Sequence, residues 1–345
     1  MCKATEINQG DIFMYAVAIQ SFGGADVFKE MQLPEPLLKP GHMLVTVKAT
    51  SVNPVDCKIR SRGPQELAPD FPAVLHGDFA GIVTKIGKGV KGFKIGDEVY
   101  GCAGGLKGLN GALADLMLVD SLLIAHKPPS LSFAEAAALP LVGLTAWEGL
   151  FDKAKIQKGQ TILVHGATGG VGHIAIQLAK WAGAKVYTTV SSKEKAEIAR
   201  NLGASQVINY REETVSSYVQ RLTKGQGFDI VFDTIGGANM EKSFAAAAHY
   251  GQIIAIQSSG QAGYDLKMMQ AKSLSLHFVF MLLPMLRNIG RAHHGDILTQ
   301  LAGLVEQGQV RPLIDHIRFT FAQVGAAHEY LESGKAVGKV VVTRQ

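Results

Sequence analysis

From residue 14 to about 128, short apolar runs alternate with clusters of turn residues. Apolar stretches over 15–20, 43–50, 80–86, 98–100 and 114–119 are separated by signals such as Leu33-Pro34-Glu35-Pro36 and Lys39-Pro40-Gly41. Runs of this length between Pro/Gly breaks predict a β-rich first domain. Five glycines crowd the stretch 87–101, which predicts short strands closed into a compact β-barrel. At Ser132 the texture changes. Ser132-Phe133-Ala134-Glu135 is a capping-box pattern leading into alanines. From residue 160 onward apolar runs at 161–165, 185–190, 206–209, 228–233 and 252–256 alternate with helical periodicity over 171–182 and 193–202. That alternation predicts a parallel sheet with helices on both faces.

A last helix around 296–307 sets Ile297, Leu298, Leu301, Leu304 and Val305 on one face. The segment 311–345 returns to short strands and is expected to rejoin the first domain. The run 273–280 (SLSLHFVF) is apolar and alternating, and it predicts an edge strand after the last buried one. The expected organisation is a flexible N-terminal extension over 1–13, a first domain from 14–138 with 310–345, and a second from 139–309.

Composition narrows the class. The chain has 345 residues, 47% hydrophobic and 18% charged, which suits two packed domains and excludes a disordered chain. A formal charge of +5 without a Lys/Arg block suits a small anionic ligand, and no nucleic-acid partner is expected. Cys2, Cys57 and Cys102 form neither a disulfide framework nor a CxxC metal pair. The run 276–286 is too short for a membrane span and contains His277 and Pro284, and 1–13 lacks the apolar core of a signal peptide. A cytoplasmic location with no membrane partner is the expectation.

The chemistry-bearing motif is Gly166-Ala167-Thr168-Gly169-Gly170-Val171-Gly172, between a predicted strand and a predicted helix. Glycines there allow a tight turn, and the helix N-terminus then faces a pyrophosphate. Gly166, Ala167, Thr168, Gly169, Gly170 and Val171 are therefore candidate cofactor-binding residues, although Ala167 stands where GxGxxG usually has its first glycine. The alternative is a turn that needs glycine for packing alone. The second strand of the sheet ends in Val190-Ser191-Ser192-Lys193-Glu194-Lys195. Sites for NAD carry an acid at such a tip, on the ribose 2′-hydroxyl. Ser191, Ser192 and Lys195 instead suit a 2′-phosphate and predict NADP. Glu194 is the residue that favours NAD, and Ser191 with Glu194 also reads as a plain capping box.

Several further motifs carry a resemblance. They are 53–60 (NPVDCKIR), 77–81 (GDFAG), 96–101 (GDEVYG), Leu139-Pro140, 143–147 (GLTAW), the glycine turn, and 208–211 (INYR). With these the chain resembles the medium-chain dehydrogenase/reductases over nearly all of 14–345. Within them it is most similar to the zinc-independent quinone oxidoreductases of the zeta-crystallin type and the related alkenal/enone reductases. The resemblance implies an α/β protein with a GroES-like β-barrel catalytic domain, a doubly wound Rossmann domain, an active site between them, and a homodimer. It implies Thr145 near the nicotinamide, Tyr210 by the adenosine phosphate, and Ile235 and Gly236 flanking the cofactor. Each has a plainer reading: Thr145 bonding a helix carbonyl, Tyr210 at the surface, the glycines only a turn.

Zinc-dependent members of that family use a Cys, a His and a third ligand. Here those positions hold Asn53, Gly77 and a residue near Leu141, with His76 and Asp78 flanking. A catalytic zinc needs three protein ligands, so no metal is expected. Without a Lewis acid, hydride should go to an acceptor that is already electrophilic, a quinone or an α,β-unsaturated carbonyl. Asn53, through its amide, and Lys58, through its ammonium, are the candidate catalytic donors to the acceptor oxygen. Lys58 is otherwise a solvated side chain or a partner of Asp56, which is expected to hold the loop. The alternatives are an alcohol dehydrogenase with a displaced metal site, or a non-catalytic NADPH-binding structural or RNA-associated protein.

Overall fold

The computed structural model describes residues 12–63, 65–258 and 263–344. Most of the expected extension over 1–13 lies outside them; Phe13 already pairs with Pro34 in the first strand.

Among the described residues, the first half holds eight strands: β1 (Phe13–Ile19), β2 (Phe28–Pro34), β3 (His42–Val52), β4 (Ala73–Val74), β5 (Asp78–Ile86), β6 (Glu98–Cys102), β7 (Leu116–Asp120) and β8 (Ile124–His126). Pairing gives a three-stranded sheet, β2-β1-β4, and a larger one centred on β3. These sheets are open rather than a closed barrel, because the larger one ends at free edges and β7 branches from β3. α1 (Pro54–Arg60) follows β3, with proline in its first turn, where a missing N–H costs nothing. Three short helical segments then lead out of this half: α2 (Phe133–Ala137), with the Ser132–Glu135 capping box formed, α3 (Pro140–Trp147), and a π-helical turn over Glu148–Lys153.

The second half is a six-stranded parallel sheet in the order β11-β10-β9-β12-β13-β14. Its strands are β9 (Thr161–Val164), β10 (Lys185–Val190), β11 (Gln206–Asn209), β12 (Phe228–Asp233), β13 (Ala247–Ala255) and β14 (Ser275–Phe278). Its helices are α4 (Gly170–Trp181), α5 (Lys193–Asn201), α6 (Val215–Thr223), α7 (Asn239–Ala246), α8 (Leu266–Lys272), α9 (Leu283–Arg287) and α10 (Arg291–Glu306). The central strands read as continuous apolar runs because helices cover both their faces. The order reverses between β9 and β12, and ligands of such sheets bind beyond the strand C-termini at that point.

The last segment holds β15 (Phe319–Thr320), α11 (Val324–Glu332) and β16 (Val340–Thr343). β16 lies antiparallel to β3, with Val340 opposite Val52, so the chain end enters the first large sheet. α11 is a helix where the sequence pattern suggested only short strands. Tyr100 Oη donates to the Leu298 carbonyl at 2.6 Å and Arg291 pairs with Asp120, so α10 also bridges the two halves. No helix among the described residues is long and apolar enough to cross a membrane.

Candidate active site

The glycine turn joins β9 to α4. Gly166 has φ +77°, and a Cβ on Gly172 would sit 2.1 Å from the Gly166 carbonyl oxygen. Gly172 therefore serves the packing that brings the helix end up to the turn. Gly169 is the N-cap of α4 and offers no side-chain cap, which leaves the first-turn N–H groups facing outward for an acceptor. In front of this turn opens a cleft of about 970 Å³.

Gly166, Ala167, Thr168 and Gly169 line the cleft on one side, Ser191, Lys195 and Tyr210 at its far end, and Ile235 and Gly236 along its lip. Gly170 and Val171 lie behind the turn, outside the cleft lining. Ser192 also lies off it; its hydroxyl accepts the Lys195 N–H and caps α5. The cap is thus one residue later than the Ser191–Glu194 pattern suggested, which leaves Ser191 free to face the cleft. Glu194 is fully exposed, and its hydrogen bond from Ser192 holds its carboxyl below the usual range. It does not line the cleft, so no acid stands at the β10 tip. The sequence reading missed Arg211 and Lys242, two more cations on the lining, and His165 at its base. Glu212 and Glu213 also reach the cleft, on the loop after β11; Arg221 neutralises Glu213 through a 2.9 Å bond.

Asp233, at the end of β12, sets the lip. It accepts from the Ile235 and Gly236 N–H groups at 2.8 and 2.9 Å, from Asn239 at 3.0 Å and from Ser243 at 2.6 Å. Gly236, at φ +72°, lets the chain turn back there. His165 is held neutral by burial, which lowers its pKa to about 4. Its Nδ1 lies 3.2 Å from Thr189 Oγ1 while its Nε2 has no protein partner.

The other end of the site is less as expected. Asn53 is 1% exposed and both ends of its amide are engaged. Its Nδ2 donates to Asp78 Oδ2 at 2.8 Å, and its Oδ1 accepts from the Lys339 ammonium. Asp78 takes one of the two Nδ2 protons and Lys339 takes the amide oxygen, which holds the expected donor Asn53 in a fixed, buried orientation. Lys58 is exposed on α1 and reaches Gln257 Oε1, beyond the end of β13, at 3.5 Å. It therefore spans the gap between the two halves. Asp56 pairs with the Asn53 N–H at 2.7 Å rather than with Lys58. Burial raises the Asp56 carboxyl to about 7 and the Cys57 thiol to about 12. Thr145 is buried and donates to the Leu141 carbonyl at 2.7 Å, the plainer of its two readings.

The donor set does not fit zinc. Asn53, Gly77 and Leu141 offer no ligand set, Lys339 places an ammonium against Asp78, and no group of three or more His, Cys, Asp or Glu among the described residues is placed to hold a metal ion. His76 instead belongs to a hydrogen-bonded chain. Thr50 Oγ1 donates to the Asp78 carbonyl, so His76 Nδ1 donates to Thr50 at 3.2 Å. His76 Nε2 then accepts from His328 Nε2 at 2.8 Å, and His328 Nδ1 accepts the Cys57 thiol at 3.4 Å. Both imidazoles are neutral, with burial lowering His328 to about 3 and His76 well below its usual value.

Comparison with known proteins agrees with this geometry. Residues 39–129 match the alcohol dehydrogenase GroES-like domain and residues 202–342 the zinc-binding dehydrogenase domain. The chain is 36% identical to the 2-methylene-furan-3-one reductase of Solanum lycopersicum, over 95% of this chain and 79% of that one. It is 34% identical, with the same coverage, to the chloroplastic NADPH-dependent alkenal/one oxidoreductase of Arabidopsis thaliana. The quinone oxidoreductase structure from Coxiella burnetii superposes with a TM-score of 0.83 at 32% identity, over 97% of this chain and all of that one.

Proposed function

The chain belongs to the medium-chain dehydrogenase/reductase family, and from that premise we propose that it is a zinc-independent, NADPH-dependent reductase of quinones or α,β-unsaturated carbonyls. The observation that carries this reading is the pairing of a cation-lined dinucleotide cleft with a substrate end built without metal ligands. NADPH supplies the hydride. The first turn of α4 and Gly166–Gly169 hold its pyrophosphate, and Ser191, Lys195, Tyr210 and Arg211 receive the 2′-phosphate. Ile235 supplies an apolar side chain on the lip against which the cofactor packs. Lys58 is the remaining charged donor at the mouth, and it stabilises the oxygen that gains charge as hydride adds to carbon. A quinone or enone needs no more activation than that.

The reading extends to the whole molecule. Residues 14–138 with 310–345 form the catalytic domain and 139–309 the cofactor domain. Two chains pair through β14, which ends the sheet order and whose last residue, Phe278, and the nearby Phe280 are 44% and 51% exposed. Val279, at 6%, points inward and is not part of that edge. A cytoplasmic setting is supported by the free thiols of Cys57 and Cys102. The test is NADPH oxidation against a panel of quinones, enones, aldehydes and simple alcohols. Turnover of quinones or enones supports the reading, and turnover confined to alcohols overturns it.

A further inference from the structure

We infer that Lys339 and Asp78 act as one positioning unit, a buried ammonium–carboxylate pair that assembles the substrate end of the cleft around a positive charge supplied by the chain itself. The inference rests on the location of the site proposed above. Both side chains are closed off from solvent, at 2% and 0% exposure. Their hydrogen bonding is complete. Lys339 Nζ donates to the Val52 carbonyl at 3.2 Å, to Asp78 Oδ2 at 3.4 Å and to Asn53 Oδ1, which uses all three ammonium protons. Asp78 Oδ2 also accepts from Ser51 and Asn53, each at 2.8 Å, and Oδ1 accepts the Leu141 N–H at 2.8 Å. A buried charge pair persists only with such full compensation.

What the pair joins gives it a role in catalysis. Asn53 is the N-cap of α1, which carries Lys58 to Gln257 across the gap between the two halves. Leu141 lies in the first turn of α3, which carries Thr145. Lys339 follows Gly338, whose N–H donates to the Thr168 carbonyl of the glycine turn at 2.7 Å. A Cβ on Gly170 would lie 3.5 Å from the Lys339 stem. One charge pair therefore ties the cofactor turn to both helices that face the substrate. It also fixes Asn53: with the ammonium on its oxygen, the amide nitrogen must face Asp78. Asp78 holds the amide nitrogen and Lys339 the amide oxygen, so loss of either member removes one of the two contacts that set this orientation. Lys339 and Asp78 touch neither substrate nor reacting atoms, so they are positioning residues.

The experiment compares Lys339→Met, Asp78→Asn and the double variant in the full-length protein. Four readouts are taken: melting temperature, NADPH affinity by fluorescence titration, kcat and KM with the best acceptor, and hydrogen–deuterium exchange. Each single variant leaves one charge buried alone and should melt lower. The double variant removes both charges and should regain most of that loss and bind NADPH within about threefold of wild type. Its kcat should stay down about tenfold or more while KM changes little, because helix placement and not binding has been lost. A double variant that regains kcat along with its melting temperature means a purely structural pair and overturns the inference, as do single variants with wild-type kcat. If the wild-type protein reduces neither quinones nor enones, the proposed function has failed, and exchange decides the positioning role separately. Faster exchange confined to 53–60 and 140–147 in the single variants supports it; unchanged exchange there overturns it.

Discussion

At the scale of single residues, cofactor choice rests on a few side chains at the β10 tip. Ser191, Lys195 and Tyr210 all line the cleft; the strand-end spacing pointed to the first two, and the family resemblance to Tyr210. The structure shifts the decisive serine to Ser191, since Ser192 is consumed in capping α5. Ser191→Asp should therefore lower NADPH affinity by at least about tenfold, or ~1.4 kcal/mol, and spare NADH. Equal losses for both cofactors in a fluorescence titration would contradict this. The Asp78–Lys339 pair and the His76–His328 contact were not legible, because their partners lie 261 and 252 residues apart. No local pattern announces such contacts. Cys57 carries a related prediction. Its thiol is buried and pushed up to about 12, so the reactive thiolate is scarce beside a site that takes thiol-reactive enones. Mass spectrometry of the folded protein after incubation with an enone should find no adduct on Cys57, whereas unfolding first should expose it.

At the scale of elements, the parallel strands were plain in the sequence because burial on both faces leaves continuous apolar runs. β10, β11 and β12 fall on the expected residues. α11 was missed because its short length and its packing in the first half give it little periodicity to read. Elements also set the pH response. His165 beside β9, His173 in α4, His76 before β5 and His328 in α11 are all buried and held neutral. Unfolded, each takes a proton below about 6.5, whereas the fold holds His165 and His173 neutral down to about 4, His328 to about 3 and His76 well below its usual value, so stability is lost as pH falls below about 6.5. Asp56, raised to about 7, works in the opposite sense: the fold keeps its proton where the unfolded chain would not, and that contribution is lost as pH rises toward 7. It offsets one histidine. The two remaining histidines with a defined window give a slope of about 3 kcal/mol per pH unit at its steepest, and His76 adds in the same direction. Urea unfolding between pH 6.5 and 4 should show the midpoint falling steeply; a flat midpoint would contradict buried neutral histidines. Gly172→Ala tests the turn itself. The added methyl meets a backbone oxygen at 2.1 Å and should cost about 2–3 kcal/mol of stability and most NADPH binding.

At the scale of the whole molecule, the two halves are joined by α10, through Leu298 and Arg291, by the Leu141 N–H on Asp78, and by the Gly338 N–H on Thr168. The proposed dimer pairs through the β14 edge. Phe278→Lys with Phe280→Lys should shift the mass in light scattering from a dimer toward 36.8 kDa, while Val279→Lys should instead destabilise the chain. The central claim is hydride transfer from NADPH to an activated acceptor without a metal. It is tested most directly by following NADPH oxidation with a naphthoquinone or an enone after exhaustive chelation. The account predicts unchanged turnover and at least about tenfold preference over NADH. Activity that disappears on chelation and returns with added zinc would contradict it.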